Sequence, residues 1–353
     1  MALTLMKGSE AIAEAAIRAG ARYFFGYPIT PQTEIPEYMS ARMPEVDGCF
    51  LQAESEVAAI NMVYGAAGTG ARVITSSSSP GISLKQEGIS YCAGAMVPAV
   101  IINVMRGGPG LGNIQASQGD YFQGVKGGGN GDYHLLTYAP SSIQEFIDIM
   151  MFAYEKAEKY RIPVLFLADG IIAQMMEPVD FDKMPERRTN LPEKTWRMAS
   201  VKEKGYRTMM QLTYGRPLTE FTDRFENETM PLIKKNEVRY EAYGLEDADI
   251  VVTAYGTAAR MAKAAIKELD TDLKIGFIRP KTAWPFPEEI YSQINPKCKA
   301  VFCPEINTIG QMIDDVRIAV AGRFPVYHVG NTKEGPLNTM NIINALNAYV
   351  KGE

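Results

Sequence analysis

The stretch Gly26-Tyr27-Pro28-Ile29-Thr30-Pro31-Gln32-Thr33 decides how this chain is read. An apolar run, Tyr23-Phe24-Phe25, precedes it and a helix-like segment follows, which puts the Thr30 hydroxyl at a strand-to-helix turn. Thr30 has the chemistry of an N-cap and Pro31 that of a first helical residue, where a missing N–H costs nothing. In open α/β sheets such turns are also where ligands bind. Thr30 is therefore a candidate for function as well as for capping.

Outward from that turn, the chain alternates helix and strand up to about residue 180. Ser9 is expected to cap a helix with Ile12, Ala15, Ala16 and Ala19 on one face and Gly20 at its end. Glu54 or Ser55 opens a small-residue helix that runs to Gly68. Val73-Ile74-Thr75 is a short strand ending in Ser76-Ser77-Ser78-Ser79-Pro80-Gly81, and Pro98–Met105 is a near-continuous apolar run, typical of a strand buried on both faces. A glycine-rich region spans Gly107 to Gly131, and helix Ile143–Tyr160 and strand Val164–Leu167 close the unit. The pattern is α/β: a doubly wound parallel sheet with its loops gathered at the strand ends.

We expect residues 1–185 to form that unit, 186–245 a charged, proline-containing connecting arm, and 246–353 a second, smaller α/β domain. The second domain reads as strand Asp249–Ala254, helix Thr257–Glu268, strands Lys274–Ile278 and Ala300–Cys303, helix Ile309–Ala321, strand Val326–Val329 and a C-terminal helix from Asn338.

Composition narrows the function. The 353 residues are 46% hydrophobic and 22% charged, with a net charge of −5 and no basic cluster, which argues against nucleic acid as a partner. No secretion-signal pattern opens the chain, and no apolar run reaches the roughly 18 residues that a membrane span needs. Four scattered cysteines without a CxxC pair, and two distant histidines, make a metal site or iron–sulfur cluster on this chain improbable.

Two further features could carry chemistry. Glu56 lies among Val57, Ala58, Ala59 and Ile60, where a carboxylate is either a partner for the helix dipole or a desolvated, proton-sharing group. Arg106 follows the buried strand at its C-terminal end, with Gly107 and Gly108 leaving room beside it. Its guanidinium suits bidentate binding of a small carboxylate, or equally an acidic side chain on a neighbouring loop. The loop Gly127–Asp132 lacks the Gly-Lys-Ser/Thr of a P-loop and reads as a flexible cover.

Taken together, Tyr27-Pro28-Ile29-Thr30-Pro31, Glu56 ahead of Gly65-Ala66, the turn Thr75–Ser79 with Pro80-Gly81 and Ser83-Leu84, Arg106-Gly107-Gly108-Pro109, and Gln118-Gly119-Asp120 resemble the α subunit of the 2-oxoacid:ferredoxin oxidoreductases. Ile278–Pro287 resembles the second-domain signature of the same family. The resemblance implies a thiamin-diphosphate-binding fold followed by a transketolase C-terminal-like domain. It further implies Glu56, Thr30 and Arg106 as catalytic residues, with Glu56, Tyr27, Pro28, Ile29 and Ser79 holding the pyrimidine side of thiamin diphosphate. Thr30, Arg106 and Gly107 would bind the substrate. No Gly-Asp-Gly string with a following Asn is present, so the diphosphate and its Mg²⁺ are expected on a β subunit, at an interface with this chain. A γ subunit, a ferredoxin-like iron–sulfur subunit, ferredoxin and coenzyme A complete the implied cytoplasmic complex.

Within the family the glycine-rich loop looks most like the type acting on 3-methyl-2-oxobutanoate, with the 2-oxoglutarate type as the alternative. The latter would need a second cation, for which Arg260 and Lys281 are the candidates. Asn130 stands where related chains often have a histidine. Two other readings remain: a carboxylate-binding assembly module without catalysis, and a transketolase-like enzyme without electron transfer.

Overall fold

The structure is a computed structural model and describes residues 3–182, 184, 193–198, 202 and 223–352. Most of the expected arm, 186–245, lies outside those residues up to 222. Its described end forms helix Met230–Glu237 and strand Tyr240–Tyr243.

The first sheet has seven strands in the order Thr282–Trp284, Leu136–Tyr138, Val164–Asp169, Val100–Met105, Val73–Ser77, Tyr23–Gly26 and Cys49–Gln52. All pairs are parallel except the first, where Thr282–Trp284 runs antiparallel to Leu136–Tyr138. The central strands Val73–Ser77, Val100–Met105 and Val164–Asp169 are buried along their whole length, as a parallel sheet covered on both faces requires. From Tyr23–Gly26 the chain first adds Cys49–Gln52 on one side and then Val73–Ser77 on the other. This reversal opens a crevice at the strand ends, where α/β folds bind ligands.

Local sequence accounts for the helices. Ser55 caps helix Glu56–Gly68 by accepting from the Ala58 amide at 3.1 Å, and Ser142 caps Ile143–Tyr160 in the same way through Glu145. The N-terminal helix runs Gly8–Arg18, two residues earlier than a Ser9 cap predicts. Ser9 instead donates to the Ala173 carbonyl at 3.0 Å, and a short strand, Thr4–Lys7, leads in and pairs with Met176–Val179. Strand Cys49–Gln52 and helix Ser79–Gly94 are not expected from the sequence. The helix is masked by Pro80, Gly81, Gly88 and Gly94, and Gly88 has a packing reason. A Cβ there would lie 2.5 Å from Ile60, so glycine lets this helix press against Glu56–Gly68.

The second sheet orders as Val326–Val329, Ala300–Pro304, Ile250–Thr253, Ile275–Pro280 and Tyr240–Tyr243, with only the last strand antiparallel. Helices Gly256–Glu268 and Thr339–Lys351 pack together, the latter opened by a capping box at Asn338.

The two sheets are tied by buried polar contacts. Asp169 accepts from the Thr257 amide at 3.1 Å and its hydroxyl at 2.8 Å. Gln118 bonds the Ile306 amide, the Ile306 carbonyl and the Tyr255 carbonyl. Arg279, in the Ile278–Pro287 string, forms a bidentate pair with Glu145 at 2.7 and 2.9 Å and a third bond to Glu241 at 3.0 Å. That string is therefore the clamp between the domains, and its continuation, Thr282–Trp284, is the added strand of the first sheet.

Candidate active site

Three neighbouring strands of the first sheet deliver the candidate residues to one edge. Tyr23–Gly26 ends in Tyr27–Pro31, Val73–Ser77 in Ser78 and Ser79, and Val100–Met105 in Arg106. The side chain of Gln32 fixes the first of these turns: its Nε2 donates to the Tyr27 carbonyl at 3.0 Å and its Oε1 accepts from Ser76 at 2.5 Å. The Thr30–Pro31 peptide is cis. Thr30 and Tyr27 are exposed, and Pro28 and Ile29 are half-buried, so the turn presents its side chains outward.

Arg106 is 6% exposed, and among the described residues no carboxylate pairs with it. Its Nη1 donates to the Thr30 carbonyl and its Nη2 to the Leu111 carbonyl, both at 2.9 Å, while its buried Nε has no partner. The acidic partner on a neighbouring loop is thus absent among the described residues, and carbonyl oxygens hold the guanidinium instead. The space beside Gly107 is filled, since a Cβ there would lie 2.5 Å from the Asn113 side chain; the open flank is at Gly108.

Ser79 links Arg106 to a further residue. Its hydroxyl donates to Asp120 Oδ2 at 2.5 Å and accepts from the Arg106 amide at 2.9 Å. Asn103 also donates to that carboxylate at 2.9 Å. Burial raises the Asp120 carboxyl above its ordinary value, against the lowering effect of these two hydrogen bonds.

Glu56 is 6% exposed at the first position of its helix. Among the described residues its carboxylate has no hydrogen-bond partner. It rests on the neighbouring helix at Gly81, where a Cβ would lie 2.7 Å from its Oε1 and 2.1 Å from Ser77 Oγ. Beside it at Gly81 the buried Ser77 hydroxyl has no partner among the described residues, and neither do the Ser78 hydroxyl or Asn103 Oδ1. A heteroaromatic ring with ring nitrogens and an exocyclic amine calls for such a set of donors and acceptors, and the thiamin pyrimidine is one. The residues present therefore fit the pyrimidine end of the cofactor.

The Gly127–Asp132 loop is tied elsewhere. Asn130 Oδ1 lies 3.2 Å from Ser90 Oγ, and the Gly129 amide donates to the Tyr133 hydroxyl at 3.1 Å. His134 stacks on Trp284 at 4.6 Å and faces the Val125 carbonyl, away from the loop.

Sequence reasoning missed Asp120 as a bonded partner of Ser79, Gln32 as the brace of the turn, and Lys85, a fully buried cation near Glu56. A signal for Lys85 was present: it interrupts the stripe Ile82, Ile89, Cys92 at helical spacing.

Comparison with known proteins shows the family. Residues 14–247 match the family model "Pyruvate flavodoxin/ferredoxin oxidoreductase, thiamine diP-bdg", and residues 248–342 match "Pyruvate:ferredoxin oxidoreductase core domain II". The ketoisovalerate oxidoreductase subunit VorB of Methanothermobacter marburgensis is 47% identical over 323 residues, covering 90% of each chain. The 2-oxoglutarate synthase subunit KorA of Methanocaldococcus jannaschii is 37% identical over 339 residues, covering 90% of this chain and 91% of that one. A solved 2-oxoglutarate:ferredoxin oxidoreductase from Magnetococcus marinus, with 2-oxoglutarate, coenzyme A and succinyl-CoA bound, superposes with a TM-score of 0.85 at 26% identity. It covers 99% of this chain, which spans 65% of that one. A split-gene transketolase shares the fold alone, at a TM-score of 0.61 and 14% identity. A crevice that fits a thiamin pyrimidine, on the two domains those models describe, makes this chain a thiamin-diphosphate-binding subunit of the pyruvate flavodoxin/ferredoxin oxidoreductase family, an oxidoreductase that works with partner subunits.

Proposed function

We propose that this chain is the pyrimidine-side subunit of an enzyme that oxidatively decarboxylates 3-methyl-2-oxobutanoate to its acyl-CoA, passing two electrons to ferredoxin. The observation that carries the reading is Arg106: a buried guanidinium with an unpartnered Nε, held by carbonyls rather than by a carboxylate, and bonded through its amide to Ser79 at the start of the helix against which Glu56 rests. Such a group suits the carboxylate of a small oxoacid.

Bound here, thiamin diphosphate would supply a nucleophilic thiazolium carbon for the oxo group and, in its cationic ring, a sink for the electron pair released by decarboxylation. The chain's own residues do the following. Glu56 shares a proton at pyrimidine N1′, which favours the imino tautomer. The Thr30 hydroxyl donates to a substrate oxygen, and Arg106 orients the substrate carboxylate until carbon dioxide leaves. Tyr27, Pro28 and Ile29 form one wall of the site, Gly107 shapes the Arg106 loop, and Ser79 fixes the Arg106 backbone.

The branched-chain substrate is favoured over 2-oxoglutarate by the likeness to VorB and by the two cations a distal carboxylate would call on. Arg260 pairs with Glu177 at 2.6 Å and Lys281 with Glu145 at 3.2 Å. Mg²⁺ with the diphosphate is assigned to a β subunit and the clusters to a ferredoxin-like subunit, with a γ subunit completing a cytoplasmic complex. Among the described residues no group of three or more His, Cys, Asp or Glu side chains could hold a metal, and no helix is long and apolar enough to cross a membrane. The domain limits we propose remain 1–185, 186–245 and 246–353.

The test is an anaerobic affinity purification of the tagged chain from its native cells, assayed for coenzyme-A-dependent reduction of a viologen dye. We expect co-purified iron–sulfur subunits and fastest reduction with 3-methyl-2-oxobutanoate. Fastest reduction with 2-oxoglutarate transfers the chain to that type, and a chain that drives no reduction with any oxoacid sinks the catalytic reading.

A further inference from the structure

One buried cation has no part in the scheme above. Lys85 lies in helix Ser79–Gly94 on the stripe Ile82, Lys85, Ile89 and Cys92, and its side chain is 0% exposed. Its Nζ donates to Thr75 Oγ1 at 2.7 Å and to the Ser76 carbonyl at 3.0 Å. Thr75 gives its own proton to the Phe25 carbonyl at 2.6 Å, so toward the lysine it is an acceptor. Both partners are neutral. An ammonium withdrawn from water against two neutral acceptors is costly, and an apolar side chain would fill the same stripe without that cost.

What sets this position apart is its neighbour. The groups facing Lys85 are Thr75 and Ser76 from strand Val73–Ser77 and Glu56 from helix Glu56–Gly68, and of these Glu56 alone is titratable. Gly81 and Lys85 are four residues apart and share one helix face. The Glu56 carboxylate rests on the backbone at Gly81, as the close approach of a Cβ there shows. A single helix face thus presents a gap that takes the carboxylate and, one turn later, a cation fixed by two hydrogen bonds. Burial pulls the Lys85 amine down to about 7, with attraction to Glu56 opposing that shift.

We propose that Lys85 is a positioning residue for Glu56: its ammonium, anchored by Thr75 and Ser76, fixes the place of the carboxylate that works on the bound cofactor. The proposal rests on the reading of Glu56 given above. Below neutral pH the lysine keeps its proton and presents a cation to Glu56. As pH rises past that range the lysine loses its charge, and Glu56 loses the cation facing it. Substrate contacts are untouched, so the effect falls on turnover and on cofactor binding rather than on oxoacid affinity.

The test uses the assembled complex carrying the wild-type chain, Lys85→Met, Lys85→Arg, Glu56→Gln or the double variant Glu56→Gln/Lys85→Met. Each is assayed for oxoacid-dependent dye reduction across pH and for its thiamin diphosphate dissociation constant. Lys85→Met is expected to lower kcat about 10- to 100-fold with KM for the oxoacid within about threefold, and to remove from the kcat profile the loss of turnover that deprotonation of Lys85 brings on the basic side. Its cofactor dissociation constant should rise about tenfold, and the double variant should bind no more weakly than Glu56→Gln, as two residues acting through one contact require. Lys85→Arg carries a permanent charge and should extend the basic side of the plateau.

A Lys85→Met complex with the wild-type profile and dissociation constant overturns the proposal. Should that variant not assemble, an unchanged basic limb in Lys85→Arg overturns it equally. Glu56→Gln separates the two claims. If it turns over normally, the reading of Glu56 falls and this proposal with it. If it is inactive while Lys85→Met behaves as wild type, this proposal alone falls.

Discussion

Arg106 and Thr30 meet through the backbone: Nη1 of the guanidinium donates to the Thr30 carbonyl at 2.9 Å, reaching over the strand Val73–Ser77 that separates their own strands in the sheet. With Nη2 on the Leu111 carbonyl, the planar fork is locked before any substrate arrives. Pre-set geometry of this kind lowers the entropic cost of positioning a carboxylate.

Arg106→Lys should therefore behave as a severe change. A lysine cannot hold two carbonyls and a carboxylate in one plane. We expect kcat/KM for the oxoacid to fall by about 10²–10³, or roughly 3–4 kcal/mol, while the complex still assembles and binds thiamin diphosphate. Steady-state kinetics with cofactor titration would check this, and a loss under threefold would remove Arg106 from the substrate site.

Gly81→Ala tests the contact between the two helices of the site. The new methyl would lie 2.1 Å from Ser77 Oγ and 2.7 Å from Glu56 Oε1, so the carboxylate must move. A displacement on the order of 1 Å costs about 10²-fold in rate when a reacting group is misplaced. Cofactor affinity should fall alongside kcat, which isothermal titration of the assembled complex would show.

The clamp between the domains gives a stability prediction. Burial raises the Glu145 carboxyl, but the Arg279 hydrogen bonds and charge outweigh it and bring the group down to about 2. Its folded value lies below its unfolded one, so the stabilisation is present above about 4.5 and is lost as pH falls from there toward 2. Glu145→Gln should destabilise the chain by about 3 kcal/mol at neutral pH, because it leaves a buried guanidinium short of charge, and should flatten the acid side of the stability curve. Chemical denaturation at several pH values measures both.

Lys85 predicts a slope of the same sign in a higher pH range. Its folded value, about 7, lies below the ordinary 10.5, so above neutral pH the unfolded chain binds the proton that the folded chain has released. Stability contributed by this site is lowest below pH 7 and rises as pH climbs toward 10.5. Lys85→Met should raise the unfolding midpoint most at pH 6 and progressively less toward pH 10. A midpoint difference that does not depend on pH would contradict the burial described.

Much of the fold was legible because periodicity and caps agree with it. Val100–Met105 reads as a buried strand and is one, and Asn338 opens the last helix where expected. Helix Ser79–Gly94 was hidden because its glycines serve packing against Glu56–Gly68, a tertiary reason that local propensity cannot contain. Thr30, Glu56 and Arg106 could be picked out as a set, since each stands at a strand end or helix start. Lys85 left a mark, its place on the stripe Ile82, Ile89 and Cys92, but that mark has no meaning until the carboxylate across the helix face is known. The string Ile278–Pro287 was legible as a motif but not as a clamp, since its partners Glu145 and Glu241 are far away in sequence.

The strand Thr282–Trp284 completes the first sheet with residues from the far end of the chain. A fragment stopping at residue 247, where the first family match ends, would leave Leu136–Tyr138 as a bare edge with its amides and carbonyls turned to solvent. Bare edges recruit other strands. The family boundary is therefore a poor place to divide the polypeptide, and any circular permutation or split version of this subunit has to keep residues 282–284 with the half that they finish.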